Sequence, residues 1–114
     1  MHAGPIALFH RDIRWPNIIR NGSTSTKWFL IDWDDAAIPP TQAAMHLDRN
    51  SHCPSVFLAN HGAEVDIWSA GKLIVDAVVF ASDIIAGVMA LGRRMMGGEI
   101  SSAAVALNEL NGLV

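Results

Sequence analysis

The sequence predicts a mainly α-helical domain carrying one short β-hairpin, and three stretches predict it. From Glu64 onward the apolar residues Val65, Trp68, Leu73, Val75, Val78 and Val79 fall on almost every side of a helix, the pattern of a helix at the centre of a domain. Ser82 or Asp83 is placed to cap a second helix through about Met96, Gly97-Gly98 ends it, and Ser101 or Ser102 opens a third reaching Leu110. Ahead of these, the strand Ile18-Ile19 and the strand Lys27 to Asp32 flank Asn21-Gly22, a turn able to adopt positive φ.

Taken in order, Ile6 to Phe9 reads as a short strand and His10 to Asn17 as a loop. Pro16 stops that loop from becoming helix, since proline has no amide hydrogen and restricts Trp15. Asn17 therefore leads into the hairpin and Asp32 stands at its exit. Trp33 to Gly62 holds Pro39-Pro40, Pro54 and several Ser, Asn and His residues without periodicity; a stretch this long is functional or disordered. No repeat, linker or low-complexity tract divides residues 1–114, which read as one domain.

Composition narrows the class. A chain of 114 residues buries one modest core. With 51% apolar and 17% charged residues it is too hydrophobic for disorder, and four Trp and four Phe argue for a packed interior. The net charge of −3 and the scattered Lys and Arg residues provide no cationic field, so no nucleic acid is expected as partner. Cys53 is the single cysteine, which excludes an intrachain disulfide and points to an intracellular setting, cytoplasmic or nuclear. Asp76 and Asp83 interrupt the apolar run Leu73 to Leu91, so no membrane span is expected. Ala3 to Phe9 is too short for a secretion signal.

Chemistry concentrates in Asp12, Asn17 and Asp32, an acid, an amide and a second acid at the ends of short extended segments. Such a trio can activate a hydroxyl and hold a metal. In phosphoryl transfer one Asp orients the nucleophile's proton while an Asn and another Asp grip Mg²⁺ against the developing phosphate charge. Two bland or rival readings compete. Asp32, Asp34 and Asp35 could form a two-carboxylate phosphatase site, which leaves Asp12 and Asn17 unexplained. His46, His52, Cys53 and His61 suggest zinc, yet their spacing matches no common finger, and solvated loop residues are the simpler account. Met95-Met96 and Trp68 read as core; Trp15 reads as a packing anchor under the site, with a substrate platform as the alternative.

The motif order resembles the eukaryotic protein-kinase family from its catalytic loop onward, most closely the divergent fungal kinase-like proteins. His10-Arg11-Asp12 with Asn17 five residues later is similar to the catalytic loop, Asp32-Trp33-Asp34 stands where DFG would be, and Asp66-Ile67-Trp68-Ser69-Ala70-Gly71 looks like the opening of the central helix. Ser102-Ala103 through Ala106-Leu107 is similar to the last helix of that fold. The resemblance implies a partial C-terminal lobe over residues 1–114, transfer of the ATP γ-phosphoryl group to protein Ser or Thr, and ATP with Mg²⁺ as cofactors. It implies Asp12 as base, Arg14 as the cation on the transferring phosphate, Asn17 and Asp32 as metal and nucleotide ligands, and His10, Arg11, Asp66 and Trp68 as support. Arg11 would face the irregular stretch, where Thr41, Ser51 and Ser55 are candidate phosphorylation sites.

Departures accompany the resemblance. With nine residues before His10, neither a Gly-rich loop nor a strand Lys precedes it, so the expectation is a fragment without the nucleotide-gripping lobe and without turnover on its own. Asp34 replaces the Gly of DFG; Cys53-Pro54-Ser55 and Ile100 stand where an ion pair of that fold would be. Leu30 to Ala36 also resembles the IDWxxA stretch of aminoglycoside and choline kinases, which makes a small-molecule phosphotransferase the first rival. A non-catalytic fragment that associates with a missing lobe or with itself is the second.

Overall fold

The computed structural model describes residues 7–20, 22, 27–77 and 83–113. Among them are two strands, β1 (Ile18–Arg20) and β2 (Trp28–Leu30), and three helices, α1 (Glu64–Ala77), α2 (Asp83–Met96) and α3 (Ala103–Leu113). The strands pair antiparallel in the register Ile18 with Leu30, Ile19 with Phe29 and Arg20 with Trp28. The fold is thus mainly helical with a small hairpin. Expected Ser82, Val78, Val79, Ile6 and Asn21 lie outside the described residues.

Local chemistry accounts for the element ends. Glu64 and Asp66 place carboxylates in the first turn of α1, where they complement the helix dipole. Arg93 and Arg94 occupy the last turn of α2, and Gly98, at φ 83, closes it in a left-handed conformation that a side chain would oppose. The Ser102 hydroxyl accepts the Val105 amide at 3.2 Å and caps α3. The second strand ends earlier than expected because Asp32 turns to φ 61, out of the extended region. Of the strand expected up to Phe9, the described residues show a single bridge of Phe9 with Ala37, donating and accepting at 2.9 Å.

Two apolar clusters meet on α1. Val65 belongs to one with Ala44, Cys53 and Val56, while Ile67 belongs to the other with Leu91, Met95, Ile100 and Ala106. The helix is buried over its first half alone. Leu73, Ile74 and Val75 are half-buried and Asp76 and Ala77 exposed, so the all-round burial expected from the sequence is not found. The aromatic residues meet a second expectation in part: Phe9 is buried and Phe57 and Trp68 pack against the core, whereas Trp15, Trp28, Trp33 and Phe29 are each more than 40% exposed on the hairpin and its flanks. No helix of the described residues is long and apolar enough to cross a membrane.

Helices α1 and α2 cross where neither has a side chain. A Cβ on Gly71 would stand 2.5 Å from the Gly92 carbonyl oxygen, and one on Gly92 would stand 2.9 Å from the Gly71 carbonyl. Both distances are shorter than van der Waals contact, and the obstacle is backbone. Gly71→Ala is therefore expected to destabilise the fold by about 1–3 kcal/mol through overpacking. Gly112→Ala, where a Cβ meets nothing within 4 Å, should change stability by less than about 1 kcal/mol, and urea unfolding of the two variants makes the comparison.

Candidate functional site

The loop before the hairpin is built by one residue type at each step. Pro16 sits in the first positions of a 3-10 turn, Trp15–Asn17, which the Asn17 amide closes by donating to the Arg14 carbonyl at 2.9 Å. Arg11 has φ 71, a left-handed conformation that costs a non-glycine residue roughly 1 kcal/mol. That conformation aims two successive amides at α1: His10 and Arg11 donate to the two carboxylate oxygens of Asp66 at 2.9 and 2.8 Å. Asp66 is 2% exposed. Trp68 is half-buried and packs against the cluster of Ala44, Cys53, Val56 and Val65, on the irregular stretch rather than on the loop.

His10 is fully buried and joins the loop to the hairpin. Its Nδ1 accepts the Asp12 amide at 3.1 Å and its Nε2 donates to the Ile31 carbonyl at 2.9 Å, so the hydrogen-bond pattern puts the ring proton on Nε2. The edge of Trp33 packs on the ring, with centroids 4.6 Å apart. Asn17 and Ile31 are held together by an amide-to-carbonyl bond of 2.8 Å, which places Asp32 one residue beyond the partner of Asn17. Asp32 itself is exposed.

Asp12 and Asn17 touch. The Asn17 amide nitrogen donates to the Asp12 carbonyl at 2.8 Å and to its Oδ2 at 3.1 Å, leaving the amide oxygen of Asn17 as the end turned away from Asp12. Oδ1 of Asp12 receives Arg14 Nε at 3.1 Å and His52 Nε2 at 2.7 Å. The Asp12 and His52 side chains are 6% and 4% exposed, whereas Arg14 is 47% exposed. Trp15, 46% exposed, is no anchor beneath the site and instead stands beside Arg14 and Pro16 on the rim of a cavity of about 230 Å³ that reaches Lys72 and Asp76.

His52 is the residue that sequence reasoning missed. It arrives from forty residues downstream, on a stretch without periodicity, and nothing in its neighbourhood marks it apart from its being a histidine. Its Nδ1 lies 2.7 Å from the Asp48 carbonyl, and the Ser51 hydroxyl donates to Asp48 Oδ2 at 2.7 Å. That hydroxyl, with the neighbouring backbone, holds the Asp48 carboxyl below its ordinary pKa. The other two histidines of the irregular stretch are occupied elsewhere: His61 Nδ1 donates to the Leu58 carbonyl, and His46 pairs with Asp35. Among the described residues no group of three or more His, Cys, Asp and Glu side chains converges as a metal site, so the zinc reading has no geometry behind it. Burial raises the Cys53 thiol, which disfavours its thiolate.

Arg11 faces the irregular stretch and grips it in three places, the carbonyls of Asp35 and Gln42 and the His61 imidazole. Thr41 is 4% exposed and donates to the His61 carbonyl at 2.6 Å, so its hydroxyl is not available to a modifying enzyme. Ser51 and Ser55 are half-buried.

Compared with known proteins, the chain matches no protein-family model and no solved structure. It is 39% identical over 69 residues to Crinkler effector protein 8 of Phytophthora infestans, a match that covers 57% of this chain. The chain spans 11% of the length of that relative. These findings overturn the assignment to the eukaryotic protein-kinase family made from the motifs. The signatures that carried it are three to six residues long, and so few side chains define a local arrangement without defining a family.

Removal of the Asp66 carboxylate leaves the buried His10 amide and the half-buried Arg11 amide without this acceptor, at a cost of up to roughly 1–3 kcal/mol apiece. Asp66→Ala is expected to lower unfolding free energy by about 2–4 kcal/mol, read from urea denaturation, and to speed amide exchange first at His10 and Arg11. For Asp48 the lowered carboxyl contributes stability above its unfolded pKa that is lost as pH falls through the folded value. Ser51→Ala should move the Asp48 titration upward, which carboxyl-carbon NMR measures directly.

Proposed function

We propose that this chain carries the acceptor-activating part of a site that transfers the γ-phosphoryl group of ATP to a hydroxyl, with a protein serine or threonine as the acceptor. The observation that carries the reading is the direct contact of Asp12 with Asn17 beside the hairpin exit where Asp32 stands. Asp12 takes the acceptor's proton as the hydroxyl oxygen attacks the γ-phosphorus and the bond from that phosphorus to the departing ADP breaks, and Arg14 supplies a permanent cation beside it.

Mg²⁺ fits the donors available. Asn17 has its amide oxygen turned away from Asp12, Asp32 contributes an exposed carboxylate, and both are hard oxygen ligands of the kind Mg²⁺ takes in small numbers, with water and phosphate completing its shell. The ion would neutralise charge on the phosphates. The residues of this chain hold their places without it: His10 fixes the hairpin exit through Ile31, and Asp66 fixes the loop.

A second reading, a non-catalytic fragment that associates with another surface, is favoured by one observation. Trp28, Phe29, Ile31, Trp33 and Ile38 are all exposed on the hairpin or just after it, and a concentration of exposed apolar side chains of this kind favours association. Sedimentation as an oligomer supports it, and a well-folded monomer counts against it.

For the first reading, amide shifts at Asn17 and Asp32 are followed as Mg²⁺ and ATP are added together. The expected result is a response at both that Asp32→Asn abolishes, with no phosphate transferred by the 114 residues alone to a generic protein or to an aminoglycoside. No response at either residue, or one indifferent to Asp32→Asn, overturns it. Transfer to the aminoglycoside alone would reassign the acceptor to a small molecule.

A further inference from the structure

Asp12 is heavily engaged, most of all at Oδ1. A carboxylate offers about four lone-pair directions, and three are taken, two of them on Oδ1. The strongest donor there, His52 Nε2 at 2.7 Å, does not come from the loop that presents Asp12. It comes from a turn, Asp48 to His52, whose internal bonds belong to itself: Ser51 to the Asp48 carboxylate, and His52 Nδ1 to the Asp48 carbonyl. Asp48, Arg49 and Asn50 are exposed.

The stretch around that turn is a closed loop with a pinned neck. The Ala44 amide donates to the Val56 carbonyl at 2.9 Å, and Ala44, Cys53 and Val56 sit together in the cluster on α1. Loops of this length with joined ends behave as units. Between the neck residues, the contact that reaches the site is the imidazole of His52. Both of its nitrogens face oxygen acceptors, so a proton lies between Nε2 and Oδ1 within a pair that is almost wholly buried. A donor hydrogen aimed at the carboxylate of Asp12 is what an acceptor hydroxyl must also provide.

We propose that the Asp48–His52 turn is a cover over Asp12, in which the His52 imidazole occupies the place of the acceptor hydroxyl and must lift before an acceptor can enter. The identity of the acceptor as a hydroxyl rests on the phosphotransfer reading; the cover itself rests on the geometry of His52. Binding of an acceptor and docking of His52 are mutually exclusive, so the free energy of the His52–Asp12 contact is subtracted from the affinity for the acceptor.

Amide exchange in the wild type, His52→Ala, His52→Gln and Asp12→Ala tests the cover. Either loss of the contact should speed exchange at Asn50 to His52 by at least about tenfold, while amides of α1 from Ile67 to Gly71 keep their wild-type rates. His52→Gln retains a donor of similar reach and should stay near the wild type. Unchanged rates in the turn overturn the cover. So do equal accelerations in the turn and in α1, or failure of both alanine variants to fold, because each would make the contact part of the core. On the same samples the response of Asn17 and Asp32 to Mg²⁺ with ATP reports on the phosphotransfer reading alone, so either idea can fail without the other.

Discussion

The structure depends on one carboxylate. Asp66 lies in the first turn of the most buried helix, where the helix dipole favours a negative charge, and it is closed off from water at 2% exposure. A charge in that position is costly unless it is hydrogen-bonded, and the two amides of His10 and Arg11 satisfy it. Charge-assisted bonds of this kind contribute more than neutral ones, about 1.5–3 kcal/mol each, which exceeds the roughly 1 kcal/mol stored in the left-handed Arg11. The loop is therefore bent toward the helix, and two further connections follow from the bend. His10 reaches the hairpin at Ile31, and the Arg11 side chain reaches the irregular stretch at Asp35, Gln42 and His61.

At Asp12 the comparison of its partners turns on burial. Arg14 carries a full positive charge but is 47% exposed, and water and salt screen a pair of that kind until its net contribution is at most about 1 kcal/mol. His52 is 4% exposed and closer, so its hydrogen bond acts in a poorly screened environment. The histidine, not the arginine, governs how the carboxylate is held. Asn17 completes the arrangement through Oδ2 and ties it to the hairpin, because its own carbonyl accepts the Ile31 amide.

What was legible in the sequence was local. The end of α2 follows from Gly98 and the start of α3 from Ser102, each of which acts within one turn of its own position. The hairpin follows from two β-branched and aromatic runs around a glycine. Asp12 and Asn17 are five residues apart and a proline lies between them, so their contact is also short-range. The contacts that were not legible are those made across the fold. His52 reaches Asp12 over forty residues, and no period in the intervening stretch fixes which of its side chains will turn inward. The aromatic residues misled for a related reason: a tryptophan count measures apolar area without saying which partner covers it, and Trp15, Trp28 and Trp33 have none over much of their surface within the described fold.

The irregular stretch has its own division of labour, and it follows from where its buried residues fall. Thr41 and His61 close one end through the Thr41 hydroxyl, reinforced by the Asn60 amide on the Thr41 carbonyl; Ala44 and Val56 close a second, inner ring. Two nested closures leave little backbone freedom outside the inner ring and much more within it, since a loop's entropy depends on the residues between its fixed ends. Arg49 lies over the Phe57 ring at 4.5 Å, a contact that steadies the inner ring from its solvent side without touching Asp12. The turn that meets Asp12 accordingly belongs to the freer inner ring, while the neck that carries it is held in the cluster on α1. A site built this way separates the groups that must stay in place, Asp66, His10 and Asn17, from the one that faces them from a different part of the chain.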